Sequence, residues 1–511
     1  MSEPLLPHIL SLHARWRTGQ PVLVTDDETL DWATFDARAN QIANGLIAAG
    51  CGRGDRVGLV MSNSAAMVEV IFGALKAGAV VAPLNTSLPV EALQAMLTDA
   101  GVSAVFISTD QRDWSSLGAE LRLRVAAGPH ADRSLLDFAC WRDAQSDADP
   151  NVPLSRDDFC TIIYSSGTTG RPKGIVHTHG ARLDWTHDLA HALRYHSGAR
   201  TLVATGLYSN ITWAGMLPTL LLGGTLFIRR SFCPVDVLRT IEHERITHTS
   251  MVPVQYQRIL ELPEFNSFDR TSMQAMMCCG APLPLSAKLK LFETFSCGVI
   301  ELYGSTEGII TTLAPEEAQA HMASVGKPLP GEDLAVLGPN DRVAQPGDVG
   351  EVIALSRFAM SGYWNNPEAT AEAFWTDAQG RRWLRSGDIG RIDGQGYITI
   401  TDRKKDMIIS GGQNVYPADI EAVLLGHANV LDCAVFGIPS KRWGETPLAL
   451  VVLRQPDGAS ADDVRVWAND RLGKQQRLHA VEFRASLPRN ANGKLLKREL
   501  RAVYCASPHE G

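Results

Sequence analysis

Short apolar runs alternate with amphipathic segments through most of this chain, and that alternation limits the folds open to it. RVGLV at 56–60 and VSAVFIS at 102–108 have the length of buried strands, and SAAMVEVIFGALKAG between them has a helical pattern. Strands that alternate with helices of this size favour a layered α/β architecture with largely parallel sheets. Ligands of such folds bind at the loops that leave the carboxyl ends of the strands.

The length and texture of the chain indicate more than one domain. A chain of 511 residues exceeds what one hydrophobic core usually serves. After about residue 330, Gly and Pro become frequent, which is typical of short strands joined by tight turns. The charged run TDRKKD then precedes a segment with its own strand–helix pattern. We therefore predict a large N-terminal domain over 1–402, a hinge at 403–406 and a small C-terminal domain over 407–511.

Composition argues against several classes of protein. A net charge of −8 with no Lys/Arg-rich run argues against a nucleic-acid partner. No apolar run reaches the roughly 18 residues that span a bilayer, and the N-terminal residues lack a signal-peptide pattern. The nine cysteines are scattered without zinc-type spacing, which favours reduced thiols. We expect a soluble cytoplasmic protein that acts on small molecules, and the sequence leaves open whether it forms a homodimer.

The run YSSGTTGRPKG at 164–174 follows the strand-like FCTIIY. Its small and hydroxylated residues offer backbone N–H groups and hydroxyls, and its lysine adds positive charge, so the loop suits a polyphosphate. The glycine spacing is not that of a Walker A loop, and a flexible surface loop is the alternative interpretation of this run alone. The residues expected to hold phosphate are Ser165, Ser166, Gly167, Thr168, Thr169, Gly170 and Lys173.

Three further motifs follow in order: LYGSTEG (302–308), RSGDIGRIDGQGYITITDRKKDMIISGGQNVYPADIE (385–421) and PRNANGKLLKREL (488–500). Together with the glycine-rich loop they make the chain resemble the adenylate-forming superfamily of acyl- and aryl-CoA ligases. The resemblance extends from about residue 30 to 500. It implies a large N-terminal domain of αβαβα layers with a β-barrel-like subdomain, and a small mobile α+β C-terminal domain.

The resemblance implies a two-step reaction. A carboxylate attacks the α-phosphorus of ATP, which gives an acyl-adenylate and pyrophosphate, and the thiol of coenzyme A then displaces AMP to leave a thioester. Because the carboxylate and the triphosphate repel each other, such a site needs cationic groups and fixed hydrogen-bond donors. The implied ligands are a carboxylic acid, ATP, Mg²⁺ and coenzyme A, as in fatty-acid or aromatic-acid metabolism.

The resemblance also assigns roles to single residues. Lys494 would reach both the carboxylate and the α-phosphate as the main catalytic side chain of adenylation. Glu307 would be the magnesium ligand, Thr306 would bond the α-phosphate, and Lys173 would steer the β- and γ-phosphates. The other implied nucleotide-binding residues are Tyr303 on adenine, Gly280, Ala281 and Pro282 on its opposite face, Gly304 and Ser305, Asp388 on the ribose, and Arg403 on ribose or phosphate oxygens.

The thioester step needs a second arrangement of the site, and the resemblance implies that the C-terminal domain turns about Lys405. Coenzyme A would then contact Gly411, Gly412 and Asn414, with its adenine on Trp443. Ser87 stands where some aryl-CoA ligases use an arginine for the 3′-phosphate. Because serine carries no charge, the positive charge for the 3′-phosphate would come instead from Lys474, Arg477 or Arg442.

The acyl pocket is expected to be apolar with a few neutral donors. Ser209 stands where many relatives carry a histidine that gates the site or positions the carboxylate. No cation is evident in the set, which favours an aryl or aliphatic monocarboxylate over a dicarboxylate such as malonate. The expected lining residues are Ser209, Asn210, Ile211, Trp213, Cys279, Leu302, Gly304, Ile309 and Ile310.

Other residues with reactive side chains are expected to be structural. His177 and His179 lack an evident third metal ligand, and Cys278 and Cys279 are neighbours on one predicted strand, where one faces the core and the other is open to the acyl pocket.

Two other functions remain open: an adenylating enzyme that loads a carrier-protein thiol, and a catalytically silent nucleotide- or acyl-binding regulator with the same fold. Trp443 favours coenzyme A over a carrier protein. The presence of Lys494, Glu307 and Lys173 favours an active enzyme over a silent one.

Overall fold

The computed structural model describes residues 4–110, 112, 114, 116–130, 132–165, 172–411, 413–440, 442–455, 458–489 and 495–505. Its contacts divide the chain into a large and a small unit. The first unit comprises Met1–Met322, Gly326–Asp333 and Ala354–Leu384, and the second comprises Ala323–Val325, Leu334–Ile353 and Arg385–Gly511. The mixed α/β class with a large and a small domain is confirmed. The hinge at 403–406 stays a prediction.

The first sheet of the large unit is parallel in its centre and antiparallel at both edges. Such a centre requires helical crossovers, which the alternating sequence pattern supplies. In order across the sheet its strands are Lys327–Pro328, Ile310–Leu313, Ile300–Gly304, Ala275–Cys279, His248–Met251, Arg200–Val203, Thr225–Ile228, Pro21–Val24 and Thr29–Asp31.

The second sheet of the large unit is parallel except for the strands that follow the glycine-rich loop. In order its strands are Gly362–Tyr363, Lys173–Thr178, Phe159–Ser165, Val80–Pro83, Arg56–Val60, Ala104–Ser108, Leu123–Ala127 and Leu136–Asp137. A short antiparallel pair, Phe374–Thr376 with the start of Arg382–Ile392, lies elsewhere in this unit.

Helices form an inner layer between these two sheets and cover both outer faces. Residues of the inner helices join strands of both sheets in one hydrophobic core. Helix Asn210–Leu222 illustrates this inner position. Its residues Thr212–Leu221 are all buried, as expected for a helix that is apolar on every side. The inner helices are Trp32–Ala48, Ala65–Lys76, His179–Ala192 and Asn210–Leu222.

Separate cores lie on the outer faces. Pro234–His243, Pro253–Leu260 and Leu285–Thr294 cover the first sheet, and Val90–Ala100 covers the second. Cys278 faces the outer core and Cys279 the inner one, as strand alternation predicts. The order helix, sheet, helix, sheet, helix is the predicted αβαβα arrangement. The remaining helices of this unit are Leu6–Trp16, Phe138–Asp143, Pro315–Ala318 and Pro367–Glu372, with a 3₁₀ turn at Phe265–Ser267.

The second unit contains two small β sheets. One contains parts of Glu332–Leu337, Gly350–Ser356 and Arg382–Ile392, the last of which pairs antiparallel with Ile398–Arg403. The other has the order Gln413–Val415, Ile408–Ser410, Gly444–Leu453 and Val430–Ser440, and Ala480–Phe483 pairs parallel with Gly444–Leu453. A 3₁₀ turn lies at Pro339–Asp341.

Helices cover both faces of the second of these sheets. Pro417–Leu425 and Ala461–Asn469 pack on one face, and Lys497–Cys505 packs on the other. Over the described part of the chain, no helix is both long enough and apolar enough to cross a membrane.

Candidate active site

The carboxyl ends of two parallel strands form one edge of the candidate site. Cys279 and Leu302 are partners in the strand register, so Gly280 and Tyr303 lie side by side at this edge. Gly280 has a φ of +94°, and a Cβ there would lie 2.9 Å from Cδ1 of Ile211. Glycine thus permits the start of helix Asn210–Leu222 to approach this edge closely. Ala281 and Pro282 continue from it, half-buried and exposed respectively.

A tight turn follows Tyr303 and carries Thr306 and Glu307. The Ser305 amide donates to the Ile309 carbonyl at 2.9 Å, and the Met360 amide donates to the Glu307 carbonyl at 2.7 Å. Gly308 has a φ of +118°, and a Cβ there would lie 2.6 Å from Cα of Ala359. Only glycine allows these two backbone segments to lie so close, and their contact fixes the position of the Glu307 loop.

Tyr363 links the predicted metal ligand to the predicted phosphate lysine. Its hydroxyl donates to Oε1 of Glu307 at 2.9 Å, and Nζ of Lys173 lies 4.6 Å from the centroid of its ring. Burial and the nearby Glu307 carboxylate raise the pKa of Tyr363, so the phenol stays protonated and remains a donor. The structure therefore brings Lys173 and Glu307 into one cluster through a residue that the sequence analysis did not single out.

The Glu307 carboxylate suits a nucleotide-bound Mg²⁺. Among the described residues, no group of three or more His, Cys, Asp or Glu side chains could hold a metal ion by itself. Mg²⁺ often binds through one or two carboxylates and keeps water and phosphate oxygens as its other ligands. A single carboxylate on a rigid turn, with Lys173 nearby, matches that mode of binding.

His177 holds the same turn from strand Lys173–Thr178 of the second sheet. Because the Arg182 guanidinium donates to Nδ1 of His177, the ring proton lies on Nε2, which donates to the Thr306 carbonyl at 2.9 Å. Burial, and then the charge of Arg182, hold the pKa of His177 well below its ordinary value. The imidazole is therefore neutral and acts as a fixed spacer. His179 begins the next helix, and its burial lowers its pKa to about 4.

Arg182 connects this turn to the predicted acyl pocket. Its guanidinium donates to Oδ1 of Asn210 at 2.7 Å and to Oγ1 of Thr161 at 3.3 Å, and it lies over the rings of Trp185 and Trp213. Arg182 is 2% exposed, and burial lowers its pKa to about 10, which leaves it charged at neutral pH. The sequence analysis did not identify Arg182 as a buried cation, because a lone arginine in a helix is usually solvated.

The other predicted acyl-pocket residues gather at the same helix start. Ser209 is buried and caps the helix by accepting from the Ile211 amide at 3.4 Å, so its hydroxyl is engaged in the fold. Ile309 and Ile310 are buried, whereas Ile211 and Leu302 are half-buried. Trp213 is 1% exposed and donates to the Leu207 carbonyl, which makes it a core residue behind the pocket wall.

In the second unit, the two residues predicted at the ribose are cross-strand partners. Asp388 and Arg403 face each other in the register of their strands, and Nε of Arg403 lies 2.7 Å from Oδ1 of Asp388. Asp388 is buried, while the Arg403 side chain is partly exposed. The arginine therefore orients a carboxylate that could accept hydroxyl hydrogen bonds. Lys405 is exposed two residues later.

The predicted coenzyme A residues of this unit also lie together. The Gly411 amide donates to the Trp443 carbonyl at 2.8 Å, and a Cβ on Gly411 would lie 3.0 Å from the indole. The Arg442 guanidinium lies 4.7 Å from the centroid of that indole. Asn414 is exposed on the short strand that pairs with Ile408–Ser410. These contacts place Gly411 and the Arg442 cation against the Trp443 indole.

Several predicted residues lie outside the described part of the chain: Ser166, Gly167, Thr168, Thr169, Gly170, Gly412 and Lys494. The described ends of the glycine-rich loop, Ser165 and Lys173, are register partners in antiparallel strands. Around the last motif, Arg489 and Leu495 form an antiparallel bridge, and Nζ of Lys497 lies 2.7 Å from Oε1 of Glu421. The residues flanking the predicted catalytic lysine are therefore anchored to the small unit.

Comparisons with known proteins identify the family. Residues 11–364 match the AMP-binding enzyme family, and residues 419–494 match the AMP-binding enzyme C-terminal domain. The chain is 37% identical over 487 residues to a feruloyl-CoA synthase of Amycolatopsis sp, covering 93% of this chain and 94% of that protein. It is 35% identical over 491 residues to the long-chain-fatty-acid–CoA ligase FadD13 of Mycobacterium tuberculosis, covering 94% of each.

A solved structure agrees with these sequence relatives. ATP-bound MatB from Rhodopseudomonas palustris aligns with a TM-score of 0.86 and 28% identity, covering 97% of this chain and 99% of that one. Both family matches agree with the four ordered motifs and with the αβαβα layers. The chain belongs to the AMP-binding enzyme family and is an AMP-forming acid–thiol ligase.

Proposed function

We propose that this enzyme activates a hydrophobic monocarboxylic acid, either an aryl acid or a medium- or long-chain aliphatic acid, and transfers the acyl group to coenzyme A. The observation that carries the proposal is the cluster of Lys173, Tyr363 and Glu307 beside Thr306 at the carboxyl edge of a parallel sheet. That cluster combines a cation, a phenol donor and a carboxylate on one rigid support, which is what a nucleoside triphosphate needs.

In the first half-reaction, a carboxylate oxygen bonds to the α-phosphorus while the bond to the pyrophosphate oxygen breaks. Lys173 holds the leaving phosphates, and the Lys494 ammonium offsets the repulsion between the carboxylate and the α-phosphate. At about 4 Å, two unit charges interact by roughly 4 kcal/mol at an effective dielectric near 20, so one lysine changes the rate strongly. Mg²⁺ at Glu307 would neutralise part of the phosphate charge.

In the second half-reaction, the sulfur of coenzyme A bonds to the acyl carbon and AMP leaves. The indole of Trp443 would stack on the coenzyme's adenine, and Arg442, whose guanidinium lies over the same ring, offers a charge for the 3′-phosphate. Lys405 is the proposed hinge, where a change of backbone angles exchanges one arrangement of the small domain for the other.

The apolar character of the acyl-lining residues supports a hydrophobic acid. Ile211 and Leu302 are half-buried and offer hydrocarbon surface at the edge that carries Tyr303, whereas Ile309 and Ile310 are buried. One of the two relatives is named for an aryl acid and the other for long-chain fatty acids, so the proposal includes both classes of acid.

The test is pyrophosphate–ATP exchange with a panel of benzoates, cinnamates, arylacetates and fatty acids, with and without coenzyme A. We expect exchange with one class of acid, and thioester formation when coenzyme A is added. Exchange without a coenzyme A thioester would instead support transfer to a carrier-protein thiol. No exchange with any acid would indicate a silent binding protein and contradict the proposal.

A further inference from the structure

Arg182 is a buried cation with no carboxylate partner among the described residues. Its hydrogen bonds go to the neutral groups of Thr161, His177 and Asn210. Another deeply buried arginine, Arg142, is matched by the fully buried Glu69 at 2.9 Å. Burial of an unmatched charge is costly, and in a low-dielectric interior the charge acts strongly on neighbouring groups.

The guanidinium fixes how the Asn210 side chain is turned. Because a guanidinium has donors only, the amide atom that faces it is the oxygen, and the NH₂ group is turned away from Arg182. Asn210 is half-buried, so part of the residue is accessible. Asn210 is also the first residue of helix Asn210–Leu222, where the helix dipole adds positive potential.

Two sets of contacts link Asn210 to the predicted nucleotide-binding residues. The adjacent Ile211 lies against Gly280 at the edge that carries Tyr303. On the other side, Arg182 shares His177 with the turn that carries Thr306, the predicted partner of the α-phosphate. Asn210 therefore stands at the start of the acyl-lining helix and is linked through Arg182 and His177 to the phosphate-binding turn. The hydroxyl oxygen of its neighbour Ser209 accepts from the Ile211 amide and caps the helix.

We propose that the Asn210 amide donates a hydrogen bond to the carboxylate of the acid substrate, and that Arg182 is the positioning residue that aims this amide and adds positive potential behind it. The pair would supply here the function for which many relatives use a histidine at the position of Ser209. This inference rests on the proposed function and deepens it by naming the group that recognises the carboxylate.

Asn210→Asp tests the inference with little cost to the fold. The new carboxylate keeps an oxygen for Arg182 and adds a counter-charge, so the melting temperature should not fall. The substrate loses its donor and meets a negative charge, so the KM for the acid should rise about 30-fold or more while the KM for ATP stays within about twofold. Asn210→Leu, which removes the donor without adding charge, should raise the KM for the acid about 10-fold.

Arg182→Met and Arg182→Lys test the positioning role. The methionine variant frees the amide to turn and removes the charge, so the KM for the acid should rise about 10-fold, and the lysine variant should recover part of the loss. Asn44→Asp is the matched control, since this half-buried amide donates only to the carbonyls of Ser146 and Ala148 and its change should leave both KM values unaltered.

Calorimetric titration of the acid into the protein measures the affinity for the acid without turnover and so tests the inference directly. Acid binding that is present in the wild type and weakened in Asn210→Asp supports it. Equal binding in the two proteins, or a wild type that binds no acid, overturns it. A wild type that binds the acid but shows no exchange contradicts the proposed function alone, and a variant that activates the acid like the wild type contradicts the inference alone.

Discussion

The two units hold their candidate functional groups in different ways. In the first unit, His177 and Arg182 are 3% and 2% exposed, and their hydrogen bonds run unbroken from the Thr306 carbonyl to the Asn210 amide. In the second unit, Trp443 is 37% exposed and Arg403 pairs with Asp388 across an open strand pair. The first arrangement is a buried network, and the second consists of separate contacts in which Trp443 and Arg403 are partly exposed and Asp388 is buried.

This difference predicts how substitutions act. A buried donor that loses its hydrogen-bond partner lowers the free energy of unfolding by about 1–3 kcal/mol. Changes in the first unit should therefore alter stability and activity together. Exposed ion pairs and rings contribute about 0–1 kcal/mol to stability, so changes in the second unit should alter one half-reaction and leave the fold intact.

The largest effect is expected for Lys494→Ala in the second unit. Removal of the ammonium should slow carboxylate-dependent pyrophosphate–ATP exchange about 100- to 1000-fold, because one charged donor at the reacting oxygens is lost. Thioester formation from a supplied acyl-adenylate should persist, and the melting temperature should not change. Equal loss of both half-reactions would contradict the assigned role.

Acid should destabilise the first unit through its buried histidines. Burial lowers the pKa of His179 and of His248 to about 4, so below about pH 6.5 the unfolded chain binds protons that the folded chain does not. Their stabilising contribution is complete above pH 6.5 and is lost as the pH falls towards 4, by about 2 kcal/mol each at pH 5.

His248→Gln measures the share of one histidine. The loss of stability between pH 7 and pH 5, measured by denaturant unfolding, should be about 2 kcal/mol smaller in the variant than in the wild type. An unchanged pH dependence would show that His248 is not a neutral buried group.

Tyr363→Phe tests the link between Glu307 and Lys173. The variant keeps the ring beneath Lys173 and removes the hydroxyl that donates to Glu307. Exchange should slow about 10-fold, the Mg²⁺ concentration for half-maximal rate should shift, and the melting temperature should fall by a few degrees. Wild-type Mg²⁺ dependence in this variant would remove Tyr363 from the site.

The smallest effect is expected for Trp443→Ala. Loss of the indole should raise the KM for coenzyme A about 5- to 10-fold, since stacking with an aromatic ring contributes about 0.5–1.5 kcal/mol. Adenylation and stability should not change. Trp16→Ala is the control, because Trp16 is 74% exposed in the other unit. A rise in the KM for ATP instead of coenzyme A would contradict the assignment.

The sequence was sufficient for the layers, and it named many residues of the candidate site. The alternating pattern predicted the parallel sheets, because it depends on neighbours close in sequence. Strand alternation predicted one of Cys278 and Cys279 towards the core and the other open to the acyl pocket, whereas both thiols lie in hydrophobic cores, on opposite faces of the sheet. The motif order led to Glu307, Thr306 and Lys173, whose local runs carry their own chemical pattern.

Tyr363 and Arg182 could not be found in that way. Tyr363 acts on Glu307, which is 56 residues away, and Arg182 acts on Asn210, which is 28 residues away. No local period or spacing links such pairs, and only the packing of helix on sheet brings them together. From the sequence, Arg182 would be expected to be solvated, whereas in the structure it is buried against the rings of two tryptophans.

The most direct test of the account is to incubate the wild-type enzyme with ATP, Mg²⁺ and an accepted acid in the absence of coenzyme A, quench the mixture, and measure bound acyl-adenylate by mass spectrometry. We predict close to one equivalent of acyl-adenylate per enzyme, which converts to acyl-CoA and AMP when coenzyme A is added. Acyl-CoA that forms with no detectable adenylate, or with ADP and phosphate as products, would contradict the account.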